Sequence, residues 1–154
     1  MAGRLTEEKV TKLLLIWLET NSWEIICFDF PQSGTGIVLH PNAEVREITK
    51  NKGAIIPDII AVKDKTAVFF ENKDRFVASD FEKINELRIF SSHSNSINNL
   101  LKNYEVSEIF YGVGLPYEVQ YSKKVSANIQ SVDFVVFVDE ENQIKINYEI
   151  TKIF

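Results

Sequence analysis

Asp58 and the couple Glu71 and Lys73 are the residues of this chain whose types and spacing could do chemistry. Asp58 follows Pro57 inside the apolar run 54–62, and Glu71-Asn72-Lys73 closes a second apolar run that starts at Thr66. Between the runs, Lys63-Asp64-Lys65 is short and polar, which predicts a turn and a hairpin of adjacent antiparallel strands. Strand side chains alternate faces, so Glu71 and Lys73 point one way, Asn72 points the other, and Asp58 sits opposite the couple on the partner strand. Two carboxylates and an ammonium converging at a strand end can hold a divalent cation and an attacking water. Phosphodiester hydrolysis is the reaction that arrangement suits. A solvated acid–lysine pair would be worth little. These charges, however, stand in runs dense in Ile, Val and Phe, where a charge is costly unless paired or bound to metal.

The elements that must position this hairpin are readable around it. Thr6 is a good helix N-cap, with Glu7 and Glu8 favourable in the first turn. Val10, Leu13, Leu14, Trp17 and Leu18 recur at helical spacing, so an amphipathic helix is predicted from Thr6 to about Glu19. The apolar segment 23–30 reads as a strand. A loop over 31–36, a short strand over 36–39 and an irregular charged stretch over 44–52 precede the hairpin. After it come a helix from Asp80, with Phe81, Ile84, Leu87 and Arg88 on one side, and a second helical stretch over 96–104. A strand over 109–114, a helix over 116–127, a strand over 132–138 buried on both faces and a half-exposed strand over 143–150 complete the chain. The order predicts an α/β fold, one domain spanning 1–154, with a mixed central sheet flanked by helices.

Length and composition agree with that reading. The chain has 154 residues, enough for a substantial core, and its 45% hydrophobic and 25% charged content is ordinary for a globular domain. One cysteine, Cys27, allows no internal disulfide and fits a reducing compartment, so a cytoplasmic location is expected. Apolar runs are too short for a membrane span, and the first residues lack the zones of a signal peptide. The net charge of −5 does not provide the broad basic face of a stand-alone DNA binder. A second copy, a partner subunit or bound Mg²⁺ would have to offset it.

Pro57, Asp58, Glu71 and Lys73, between a preceding helix and a following one, resemble the PD-(D/E)xK nuclease superfamily, whose members share a restriction-endonuclease-like core. The resemblance covers about two thirds of the chain as architecture, and in sequence only those four positions. It implies that Asp58 and Glu71 ligate Mg²⁺, for which Mn²⁺ can substitute. It also implies that Lys73 orients or helps deprotonate a water and offsets charge developing on the phosphate. Such families often carry another acid on the first helix, which Glu8 or Glu7 could supply, although acids in a first turn mainly answer the helix dipole. The carbonyl of Asn72 is a further possible ligand. The implied activity is a Mg²⁺-dependent DNA endonuclease of restriction type, working as a homodimer or as the cleavage subunit of a larger assembly. The alternative is a catalytically idle nuclease-like module that binds DNA or protein.

Other candidates carry less. Ser33 in the loop, and Lys123 and Lys124 near Tyr117 and Tyr121, could contact DNA. Gly34-Thr35-Gly36 and Gly112-Val113-Gly114 each lack the third glycine of a dinucleotide fingerprint, and are read as turn glycines. His40 and His93 have no ligand spacing to Cys27, so zinc has little support.

Overall fold

Thr6 caps the first helix as its type predicts: its hydroxyl accepts from the Lys9 backbone N–H at 3.1 Å, and α1 runs Glu7–Thr20. The computed structural model describes residues 5–29, 56–90 and 94–154. The loop, short strand and irregular stretch predicted within 30–55, with Ser33, His40 and Gly34-Thr35-Gly36, therefore lie outside the described residues, as does His93. Among those described, helices flank a mixed six-stranded sheet whose spatial order is its chain order. The strands are β1 Glu24–Phe28, β2 Ile59–Lys63, β3 Thr66–Asn72, β4 Glu108–Pro116, β5 Phe134–Val138 and β6 Ile144–Glu149.

Turn chemistry and crossovers explain the pairing. β2 and β3 form the predicted hairpin, antiparallel with Lys63 opposite Thr66 and Asp64 in the left-handed region at φ 54°. β1 joins β2 antiparallel, and β6 joins β5 antiparallel. β3 to β4 and β4 to β5 are parallel, so each needs a crossover. The first passes through α2 (Ala78–Asn85), a π-helical turn (Glu86–Phe90) and α3 (Ser94–Leu101). The second uses α4 (Tyr121–Asn128) and a 3-10 turn (Ile129–Ser131). Both crossovers lie on one face of the sheet, where Phe81, Ile84, Leu87, Ile97, Tyr121 and Val125 pack with Ile60, Phe69, Val113 and Phe137. On the opposite face α1 sets Val10, Leu14 and Leu18 against Ile59, Val68, Phe70, Phe134 and Val136. Each such fully buried side chain contributes about 1.5–3 kcal/mol. Phe154 closes that face, its ring 5.0 Å from both Trp17 and Phe134.

A half-buried ion pair fastens the π-helical turn to the sheet. Arg88 Nε lies 2.9 Å from Asp133 Oδ1 and its Nη1 donates to the Gln130 carbonyl at 2.7 Å, while Asp133 Oδ2 accepts from the Tyr111 N–H at 2.9 Å. Burial pushes the Asp133 carboxyl up, and the Tyr111 N–H and Arg88 pull against it.

Two expectations are corrected. The helix predicted over 116–127 starts only at Tyr121, because β4 continues through Pro116 and is buried from Tyr111 to Pro116. Gly112 and Gly114 do not make turns; both lie inside β4, where the strand predicted over 109–114 places them. A Cβ at Gly112 would run into the Phe134 ring and carbonyl, and one at Gly114 into Asn72 Oδ1 and Leu14 Cδ1. These glycines buy close approach rather than unusual dihedrals. Gly114→Ala is expected to lower stability by about 2–3 kcal/mol, read as a drop in urea midpoint. A loss below roughly 0.5 kcal/mol would show that α1 is not seated on β4 this tightly.

Candidate active site

The hairpin register brings the three predicted residues together. Ile59 pairs with Phe70, and one step further the Asp58 N–H donates to the Phe70 carbonyl at 3.0 Å, which sets Asp58 beside Glu71. The Asp58 carbonyl in turn accepts from the Asp29 N–H at 2.9 Å, so its backbone is held from both sides. Its carboxylate is held as well, because Oδ2 accepts from the Asn72 backbone N–H at 2.7 Å. Lys73 follows directly, its own N–H donating to the Gly114 carbonyl at 3.1 Å, at the end where parallel β3 and β4 both finish. That end of an open α/β sheet is where ligands commonly bind.

Asn72 takes the opposite face, as alternation requires. Its Nδ2 donates to Thr11 Oγ1 of α1 at 3.1 Å, and that hydroxyl donates to the Glu7 carbonyl at 3.0 Å. Asn72 is fully buried, and its Oδ1, packed where Gly114 has no side chain, has no hydrogen-bond partner among the described residues. The residue thus connects α1 to the site: its side chain holds the helix, and its backbone N–H holds Asp58.

Burial decides the electrostatics. Asp58 is 8% exposed and Glu71 5%. Desolvation first, then the neighbouring Glu71 charge, pushes the Asp58 carboxyl up to about 8, and the Asn72 N–H only partly offsets this. Burial also raises Glu71, against the pull of Lys83, whose Nζ lies 3.1 Å from Glu71 Oε1. Burial alone would lower Lys73. The carboxylates of Glu7, Asp80, Glu71 and Asp58 outweigh it and raise the ammonium above its ordinary value.

Of the two acids on the first helix, the one brought to the group is Glu7, whose Oε1 is 3.7 Å from Lys73 Nζ. Glu8 is turned away: it pairs with Lys12 at 3.6 Å, and both side chains are 53% exposed. Lys123 and Lys124 are exposed on α4. Lys124 Nζ stands 5.9 Å from the Phe76 ring and 6.0 Å from the Tyr121 ring, which places it against the loop that leaves Lys73.

Two residues of the group escaped sequence reasoning. Asp80 and Lys83 lie three apart on α2, a spacing that puts them on one helix side, but their approach to Glu71 comes only from the crossover. Among the described residues no cluster of three or more His, Cys, Asp or Glu side chains is gathered to hold a metal ion. The donor set is the Asp58–Glu71 pair. Such a pair suits Mg²⁺, a hard ion bound by one or two carboxylates with water and phosphate oxygens completing its shell. Two adjacent buried carboxylates, each pushed up by desolvation, are also the arrangement that a cation would relieve. No protein-family model matches the chain, and no curated protein sequence matches it.

Proposed function

We propose that the chain is a Mg²⁺-dependent DNA endonuclease of restriction type, with a restriction-endonuclease-like core and a PD-(D/E)xK active site. The observation that carries this reading is the buried pair Asp58 and Glu71, side by side at a strand end with Lys73 beside them. A structural cross-strand pair would not need two carboxylates next to each other in a place that disfavours both charges. The order of α1, three antiparallel strands, a helical crossover and a parallel β4 supports it as well.

Asp58 and Glu71 would hold Mg²⁺, which when bound lowers the pKa of water and polarises a phosphate oxygen. The chain's own residues do the rest. The Asn72 N–H fixes Asp58 Oδ2, so the second oxygen keeps one direction. Lys73, with a side chain 34% exposed, reaches solvent from the same strand end and presents a permanent positive charge to an incoming phosphate. Lys124 adds charge along the neighbouring loop. With a net charge of −5, productive DNA binding would draw on a second copy or a partner subunit, each chain cutting one strand.

Purified protein incubated with supercoiled plasmid is expected to nick it in Mg²⁺ or Mn²⁺ and to stop in chelator. Asp58→Ala is expected to lower the rate by about a thousandfold or more, the scale of a lost electrostatic partner in a transition state. Cleavage unchanged in that variant would sink the assignment.

A further inference from the structure

Glu71 already carries a cation. Lys83 Nζ stands 3.1 Å from its Oε1, with the lysine side chain 35% exposed and the glutamate side chain 6%. The lysine comes from α2 and not from the hairpin, so it can withdraw without disturbing either strand. One turn earlier on α2 stands Asp80, 9% exposed, whose Oδ2 is buried and has no hydrogen-bond partner among the described residues. Residues three apart on a helix are neighbours on its surface. A buried acceptor left unsatisfied costs more than an ordinary hydrogen bond returns. Its persistence is explained if a donor reaches it in another state of the protein.

Resting on the reading of Asp58 and Glu71 as cation ligands, we infer that Lys83 is an exchangeable cation of this site: it neutralises Glu71 while the metal is away, is displaced when a divalent ion binds, and passes to Asp80. Lys83 is a positioning residue in this scheme, since it acts through Glu71. The exchange keeps Glu71 from standing as an uncompensated buried charge in the metal-free chain, a situation proteins avoid. It also makes metal affinity the difference between two ion pairings, so that α2 controls how readily the hairpin is loaded. No bond is made or broken and no proton moves.

The test is calorimetric titration of Mn²⁺ into the full chain and into Lys83→Met, Asp80→Asn and the double variant, with thermal melts in chelator alongside. Lys83→Met is expected to tighten Mn²⁺ binding about tenfold or more, because a competing charge a few ångströms away is gone. Asp80→Asn is expected to weaken binding about tenfold in the wild-type background but under about threefold when combined with Lys83→Met, since coupled neighbours are not additive. Without metal, Lys83→Met is expected to melt lower than wild type, and Mn²⁺ is expected to raise its Tm more. If Lys83→Met does not melt cooperatively, Lys83→Gln serves with the same expectations.

Equal weakening by Asp80→Asn in both backgrounds would overturn the exchange, and so would binding that Lys83→Met leaves unchanged or weaker. Either result leaves the carboxylate pair as ligands. Wild-type protein that binds no Mn²⁺ until Lys83 is replaced would support the exchange in its strongest form. Absence of binding in every variant would remove the metal reading and the exchange together.

Discussion

Asp58→Asn is expected to stabilise the metal-free protein at pH 8 by about 2–3 kcal/mol and to flatten its pH dependence between pH 5 and pH 8. The sign follows from the direction of the shift. The folded carboxyl is raised to about 8 from an ordinary value of 3.8, chiefly by desolvation and then by Glu71. The folded chain therefore binds a proton that the unfolded chain has released across that window. Stability is fully present below about pH 4 and is lost as pH rises through about 8. A four-unit displacement corresponds to roughly 5 kcal/mol; water entry and relaxation around the pair bring the expected effect to about half of that. Glu71 is shifted in the same direction and adds to the trend. An asparagine at 58 has no charge to desolvate, and its side-chain oxygen can still accept from the Asn72 N–H that Asp58 Oδ2 binds at 2.7 Å. Urea midpoints in chelator at pH 5 and pH 8 measure this directly. Mg²⁺ should stabilise the wild-type chain more at pH 8 than at pH 5, because the ion needs both carboxylates ionised, and should do so weakly or not at all in the variant. Equal destabilisation by Asp58→Asn at both pH values would mean that Asp58 is a well-solvated carboxylate and not a strained one.

How much of this site was legible in the sequence follows from the range of the interactions that build it. The hairpin was legible because a polar turn between two apolar runs is a local signal, and period-two alternation then separates Glu71 and Lys73 from Asn72. The capped first helix was legible for the same reason, since Thr6 acts within its own turn. What sequence reading missed depends on contacts between distant segments. Glu7 and Glu8 are equivalent as first-turn acids, and only the docking of α1 through Thr11 on Asn72 turns Glu7 toward Lys73 and leaves Glu8 in solvent. Lys83 reaches Glu71 because the β3–α2 connection folds the helix back over the strand end. Gly112 and Gly114 fall inside the strand predicted over 109–114, yet read as turn glycines, because glycine is a poor strand former by itself. In β4 the space they leave is filled by Phe134, Leu14 and Asn72, so a tertiary demand overrode a local preference. The extension of β4 to Pro116 has the same origin: parallel pairing with β5 carries it past the point where local signals end, with Pro116 opposite Val138.

Lys73→Met is expected to lower the cleavage rate by about a hundredfold to a thousandfold while changing stability by less than about 1 kcal/mol. The two magnitudes separate because the ammonium would have different tasks in the two states. In the resting protein it makes a long pair with Glu7, 3.7 Å apart, with side chains 34% and 27% exposed, and pairs so wet are worth little. In the transition state it would face charge building on phosphate oxygens beside a metal, where a fixed cation contributes most. Methionine keeps the length and apolar stem and removes the charge alone. The pH dependence distinguishes the ways a lysine could act. Surrounding carboxylates hold Lys73 protonated more firmly than a free lysine, against the opposing pull of burial. The loss in Lys73→Met should therefore be the same factor from pH 6 to pH 9, as for a charge that never titrates in that range. A loss that grows steadily with pH would instead identify Lys73 as a group that exchanges its proton during the reaction. In that case a bound cation must overcome the local carboxylates and depress the lysine, and Glu7→Gln should exaggerate the effect by removing the nearest of them.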